Sequence, residues 1–455
     1  DATHNVTRTP GPAAECPAPQ ANPPGLADTM TLLYDWSVES SQTDAERLAA
    51  QQTELLALLD AGGAQALDRA IPLERHQQGI FALADLTGDS VAEVATVFGT
   101  GLNNSVLHVY GCESGHYREL FQLSSLMGEG APRIETIADA NANGVPDLVV
   151  NQDSCHWCYA MQVFEWDGQA FQSLVRHWLV YPDINELDYM DYAELMGLGQ
   201  GRVADLDGNG TLELILVGGT PSYSAGLRGA DGPWREQTIT YTWDGRYFVW
   251  NSQRYAPAVF RFEALQDADD AVLRGDDEVA LALYQDVIFS DRLVSWTPEI
   301  WQQMRSESFN YPDLSRMPFN PTEHAALSAY ARYRIMVLHV HRGLVSDAET
   351  VYRNLLEQVA SDSAGAPYLE LARAFWDASQ DGLNIREGCA AAVAYATRNP
   401  EILGPLGNSD GRMWGRYYWP QEVCPFSPKE SRDPQESVRG RGNPTVTHGK
   451  PSPNP

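Results

Sequence analysis

Hydrophobic and polar positions change period along this chain, and the change divides it. Between about residues 79 and 255, short β-branched and aromatic runs alternate with polar loops. A strand shows its faces with period two, so these runs predict strands. Over residues 44–70, DAERLAAQQTELLALLDAGGAQALDRA, apolar residues recur at helical spacing. From about Phe262 onward the helical period returns, in pairs of amphipathic segments.

Three segments of the β region share one plan. GIFALADLTGDSVAEVATVFG starts at Gly79, RIETIADANANGVPDLVVNQD at Arg133 and GRVADLDGNGTLELILVGG at Gly201. Each predicts a strand, a loop of oxygen-bearing residues and a second strand. Each then continues into a further strand pair: VLHVYGCESGHYRELFQL, AMQVFEWDGQAFQSLV or TITYTWDGRYFVW. Asp167-Gly168 and Asp244-Gly245 are strong hairpin-turn signals. Four strands per repeat is the make-up of a propeller blade.

The loops carry the candidate chemistry. Calcium takes hard oxygens from a flexible chain, and alternate residues of a tight loop can all point inward. Positions one, three, five and nine are Asp85, Thr87, Asp89 and Glu93 in the first loop. They are Asp139, Asn141, Asn143 and Asp147 in the second, and Asp205, Asp207, Asn209 and Glu213 in the third. Position seven (Val91, Val145 or Thr211) offers a backbone carbonyl, and Gly144 and Gly210 at position six allow a sharp reversal. Ser90 stands at that place in the first loop, which predicts strain there, and the third loop is expected to be the best formed.

An EF-hand needs a bidentate Glu at position twelve and flanking helices. Thr96, Val150 and Leu216 stand there instead, inside predicted strands. The alternative without metal is three Asx-rich hairpin turns, and recurrence of the pattern three times weighs against it. The loop between strands resembles the calcium loop of FG-GAP, or VCBS (integrin-alpha-like), repeats over about residues 79–255. Three blades do not close a ring, since propellers have about four to eight. The arc is therefore expected to be open and capped by helices, closed by a degenerate blade, or completed by another chain.

The C-terminal helix pairs resemble tetratricopeptide (TPR) hairpins, with generic α-hairpin packing as the alternative. Ala271, Gly275, Ala280 and Tyr284 mark the first pair. Tyr330, Tyr333, Gly343, Ala348 and Tyr352 mark the second; Ala372, Phe375, Trp376, Ala392 and Tyr395 mark the third. The expected fold class is multidomain β plus α, with propeller-like four-stranded blades and calcium loops before an α-helical hairpin domain. Its parts are a Pro-rich tail (1–26), a helical cap packed on the first blade (27–78) and three FG-GAP-like blades (79–260). A TPR-like domain (261–426) and a Pro/Ser/Arg-rich tail (427–455) follow. This combination resembles functionally uncharacterised exported bacterial proteins, which implies surface or extracellular location and no catalytic residues.

Composition narrows the function classes. A chain of 455 residues exceeds one ordinary core, and 43% hydrophobic residues provide ample core material. A formal charge of −30 opposes nucleic acid and suits divalent cations. No apolar run is long enough to span a membrane. A start at Asp1 fits a mature exported product. An even number of cysteines in such a protein favours disulfides. The expected pairs are Cys389–Cys424, Cys155–Cys158 and Cys16–Cys112.

Catalytic signals are weak. Gly407-Asn408-Ser409-Asp410-Gly411 matches G-x-S-x-G, but Pro405 precedes it and loop-like sequence follows, so a polar turn is expected. Cys155-His156-Trp157-Cys158 follows a strand rather than opening a helix, which favours a structural disulfide over a redox site. His339 and His341 point apart on a helix and cannot pinch one metal. The acidic segment 183–195 reads as a solvated loop between blades. The expected function is a non-enzymatic, calcium-binding extracellular or cell-surface structural or interaction protein. Its partners are proteins, copies of itself in a filament or coat among them, with the two tails as candidate connectors. The alternative is a secreted glycan hydrolase whose paired carboxylates sequence does not reveal.

Overall fold

Strands β1 (Phe81–Ala84), β2 (Glu93–Gly99), β3 (Ser105–Glu113) and β4 (His116–Ser124) form one antiparallel sheet in chain order. The computed structural model describes residues 16–34, 43–99, 105–126, 130–155, 158–179, 188–196, 198–221, 234–296, 318–360, 363–406 and 418–426. The G-x-S-x-G motif, residues 1–15 of the N-terminal tail and all of the C-terminal tail lie outside these residues.

A second antiparallel meander repeats the plan with β5 (Arg133–Ala138), β6 (Asp147–Cys155), β7 (Cys158–Trp166) and β8 (Phe171–Ser173). A third sheet places β12 (Leu198–Ala204), β13 (Glu213–Pro221), β14 (Trp234–Trp243) and β15 (Phe248–Tyr255) side by side. The chain between β8 and β12 corrects the sequence reading. Residues 188–196 are not a solvated loop but strands β10 (Asp188–Met190) and β11 (Ala193–Met196). After β8, strand β9 (Val175–Leu179) pairs in parallel with β15, β10 pairs with β9, and β11 returns to β7. The second sheet therefore gains one strand and the third gains two. Ala193 and Leu195 are fully buried, which outweighs the acidic residues around them.

Burial explains the apolar runs. Val94, Phe98 and Tyr110 face a cluster with Leu55, Leu58, Leu59 and Leu67. The alternate residues Ala95, Val97, Leu107 and Val109 face Leu148, Val150 and Phe164 of the second sheet. On the other face of that sheet, Val149, Met161 and Val163 meet Leu214, Leu216 and Tyr241 of the third. Strands covered on both faces lose the polar alternation that marks a half-exposed strand, and each fully buried Leu or Phe contributes about 1.5–3 kcal/mol.

Helices α1 (Leu26–Tyr34), α2 (Asp44–Asp60) and α3 (Ala64–Ala70) cover the free face of the first sheet, and the short α4 (Leu73–Gln77) leads into β1. A capping box starts α2: Thr43 accepts the Glu46 amide, and Glu46 accepts the Thr43 amide at 2.8 Å. The segment before α1 is tied by a Cys16–Cys112 disulfide to β3 and by the Gln20 amide to the Gly62 carbonyl.

Apart from the ends of β13, β14 and β15 at residues 219–221, 234–237 and 255, these sheets belong to one compact unit, drawn from Asp1–Leu179, Asn185–Gly218 and Thr238–Arg254. The second unit comprises Val180–Ile184, Gly219–Gln237 and Tyr255–Pro455. Its helices pack as consecutive pairs: α5 (Arg261–Arg274) with α6 (Asp277–Phe289), α7 (Pro321–His341) with α8 (Val345–Gln358), and α9 (Ala366–Ala378) with α10 (Ile385–Arg398). Gly275 (φ 81°) and Gly343 (φ 74°) make the left-handed turns that close the first two pairs. A Cys389–Cys424 disulfide joins α10 to segment 418–426, whose Tyr418 and Val423 enter the helical core. Arg334 of α7 forms a buried ion pair with Asp269 of α5 at 3.2 Å and donates to the Glu422 carbonyl.

Candidate metal site

The three acidic loops hold the same place in the three sheets. They join β1 to β2, β5 to β6 and β12 to β13. Ala84 pairs with Glu93 and Ala138 with Asp147, so the residue before position one faces position nine. The third loop keeps this spacing, between Ala204 and Glu213.

One hydrogen-bond scheme recurs. The first carboxylate gathers amides from inside the loop: Gly88 and Ser90 reach Asp85 at 2.7 and 3.0 Å. Asn143 and Gly144 reach Asp139 at 2.9 and 2.8 Å, and Gly208 and Gly210 reach Asp205 at 2.7 and 3.0 Å. The fifth side chain accepts the seventh amide: Val91 to Asp89 (2.8 Å), Val145 to Asn143 (2.8 Å) and Thr211 to Asn209 (2.7 Å). The ninth carboxylate accepts the second amide: Leu86 to Glu93 (2.6 Å), Ala140 to Asp147 (2.8 Å) and Leu206 to Glu213 (2.7 Å). All three loops thus fold their carboxylates toward their own backbone.

The backbone turns left-handed twice in each loop. Position six does so at Ser90 (φ 69°), Gly144 (88°) and Gly210 (90°), which places Ser90 in a conformation better suited to glycine. Position four does the same at Gly88 (75°), Ala142 (59°) and Gly208 (76°). Position four carries a signal of this turn in the sequence, glycine at two of its three occurrences, that the loop pattern of oxygen-bearing residues does not include.

The loops differ in what they bring together. Asp205, Asp207 and Glu213 place oxygen atoms all within 4.8 Å of one another. Asp205 and Asp207 are exposed and Glu213 is buried. In the first loop Thr87 donates to Glu93 at 3.1 Å rather than standing free. Burial pushes the Glu93 carboxyl up to about 7, with nearby Asp89 adding to the rise and the Leu86 and Thr87 amides opposing it. Burial likewise pushes Asp147 up to about 8, aided by Glu165 and Asp139 and opposed by the Ala140 amide. The second loop also holds a residue that the loop pattern does not contain. Glu165 of β7 accepts the side-chain amides of Asn141 (2.9 Å) and Asn143 (2.5 Å).

Position two separates the third loop from the others. Leu86 and Ala140 are fully buried between sheets, whereas Leu206 is 56% exposed.

The remaining candidates fall into packing roles. Cys155 and Cys158 face each other across the β6–β7 hairpin, and Cys158 is disulfide-bonded. His341 stacks on Phe426 with ring centroids 3.9 Å apart. Burial lowers the pKa of His339, and its Nδ1 is buried with no hydrogen-bond partner among the described residues. Among the described residues, no helix is long and apolar enough to cross a membrane. No family model matches this chain, and no curated protein or solved structure matches it either.

Proposed function

We propose that this chain is a non-enzymatic calcium-binding protein of the extracellular space or cell surface, built on FG-GAP-like blades and engaged in protein contacts. The convergence of Asp205, Asp207 and Glu213 carries the reading, because three carboxylates so close repel one another until a cation neutralises them. The first and second loops share its hydrogen-bond scheme, and one oxygen of Asp147 is buried with no hydrogen-bond partner among the described residues. An oxygen-rich site on a flexible loop suits calcium better than zinc, which favours nitrogen and sulfur.

The residues that would hold the ion are Asp205, Asp207, Asn209 and Glu213 in the third loop, with Thr211 through its carbonyl. Their counterparts are Asp85, Thr87, Asp89, Val91 and Glu93 in the first, and Asp139, Asn141, Asn143, Val145 and Asp147 in the second. Bound calcium supplies positive charge and fixes each hairpin, and so stiffens the stack of sheets. The disulfides Cys16–Cys112 and Cys389–Cys424 support an oxidising location. Protein partners, further copies of this chain included, are the class that such an acidic scaffold would serve.

Calorimetric melting with calcium and with a strong chelator tests this. A calcium-dependent rise in midpoint is expected, since an ion bound only by the folded state stabilises it. Asp205→Ala should remove more of that rise than Asp139→Ala. An identical midpoint under both conditions would rule out calcium binding.

A further inference from the structure

Counted by carboxylates, the second loop is deficient. The first has Asp85, Asp89 and Glu93 and the third Asp205, Asp207 and Glu213, but the second has only Asp139 and Asp147. Its ninth residue is also shorter than the glutamate of the other two. The strand beside it makes up the difference. Leu148 pairs with Phe164, and the antiparallel register then sets Asp147 opposite Glu165. In the first sheet Val94 pairs with Tyr110, which sets Glu93 opposite Gly111. A Cβ added at Gly111 would lie 3.3 Å from Glu93 Cγ, so the longer ninth residue occupies that space itself. In the third repeat, Trp243-Asp244-Gly245 aligns with Trp166-Asp167-Gly168, which puts Thr242 in the place of Glu165. Both turns close in the same way, Asp167 accepting the Ala170 amide and Asp244 the Tyr247 amide.

We propose that Glu165 is a ligand of the second loop's divalent cation, supplying from strand β7 the third carboxylate that the loop lacks. The carboxylate lies over the loop, accepting the side-chain amides of Asn141 and Asn143 at positions three and five. A second observation points to a missing partner in the same loop. Asp147 is fully buried, and while its Oδ2 accepts the Ala140 amide, its Oδ1 has no hydrogen-bond partner among the described residues. A buried carboxylate oxygen without a donor is costly, and a cation held between Asp147, Asp139 and Glu165 removes that cost.

This assignment rests on the calcium reading above, and the experiment separates the two. Calcium alone is titrated calorimetrically into the full metal-free chain, into Glu165→Gln and into Glu165→Gln with Asn141→Asp. Glu165→Gln is expected to weaken one site by roughly 10- to 100-fold and leave the others unchanged. Asn141→Asp, which returns a third carboxylate within the loop, is expected to restore it. Absence of calcium heat in the unaltered chain overturns the proposed function itself. Binding in the unaltered chain that Glu165→Gln leaves intact overturns only this assignment. So does a drop in the metal-free melting midpoint with calcium affinity retained, because Glu165 is then a brace for the two asparagines.

Discussion

The Tyr418 hydroxyl donates to Asp269 Oδ2 at 2.9 Å, across 149 positions of the chain. Asp269 also accepts the Tyr284 hydroxyl and pairs with Arg334, and all of these groups are buried. Segment 418–426 is therefore held to the helical core by a charge network as well as by Cys389–Cys424. Removing one member of such a network leaves an uncompensated buried charge. Asp269→Ala is expected to cost about 3–5 kcal/mol, and Tyr418→Phe about 1–2 kcal/mol. Tyr330 is the internal control: its hydroxyl is buried with no hydrogen-bond partner among the described residues, so Tyr330→Phe should be neutral or slightly stabilising. Urea unfolding midpoints check the ranking; equal losses in the two tyrosine variants would contradict it.

Two loop residues sit in the left-handed region without being glycine, Ser90 at φ 69° and Ala142 at φ 59°. A Cβ in that conformation costs roughly 1 kcal/mol, partly offset by the greater freedom of glycine in the unfolded chain. Ser90→Gly and Ala142→Gly are each expected to raise stability by up to about 0.5 kcal/mol. Gly144→Ala and Gly210→Ala should lower it by a similar amount or more. Thermal melts of the four single variants in chelator, where no ion contributes, provide the comparison.

Burial raises the Glu323 carboxyl to about 7 from an ordinary 4.5, while the Trp296 amide and Arg261 oppose the rise. The folded state thus keeps this proton at pH values where the unfolded chain has released it. The stabilising contribution is complete below about pH 4.5 and is lost as pH rises toward 7. The loss is on the order of 3 kcal/mol over that window. Glu323→Gln removes the titration and should retain acceptance of the Trp296 amide, now 3.1 Å from Glu323. Stability measured at intervals between pH 4 and 8 should therefore fall less steeply in the variant, and parallel curves would exclude this group as the source.

The loops were legible in the sequence because their information is local. Alternating oxygen-bearing residues from Asp85 to Glu93 specify a turn that its own backbone amides complete. The helix pairs were legible for the same reason, since Gly275 and Gly343 mark their turns. What escaped was set by distant pairing. Strand β9 pairs in parallel with β15, which begins 73 residues after Val175, so nothing near the acidic segment 183–195 announces a strand. Glu165 enters the second loop only through the β6–β7 register, and within its own sequence it is one more surface acid. Nothing within the third loop's own sequence marks Leu206 as exposed, whereas the equivalent Leu86 is fully buried between sheets.

Gly111 of β3 lies where strand spacing, rather than backbone conformation, calls for glycine. A Cβ there would stand 2.5 Å from Leu120 Cδ1 and 3.3 Å from Glu93 Cγ. Gly111→Ala therefore pushes Leu120 of β4 out of its rotamer and presses on the ninth residue of the first loop. Overpacking of this kind costs about 1–3 kcal/mol, and a movable leucine tip puts the expectation at the lower end. Because Glu93 accepts the Leu86 and Thr87 amides, displacing it should also loosen the first loop. The variant is thus expected to lose about 1 kcal/mol in chelator and to show weaker calcium stabilisation than the unaltered chain. Leu120→Val in the same background shortens the clashing side chain and should recover part of the chelator loss. It leaves Glu93 pressed, so it should recover little of the calcium effect. Full recovery of both by Leu120→Val would mean that the leucine contact alone accounts for the glycine.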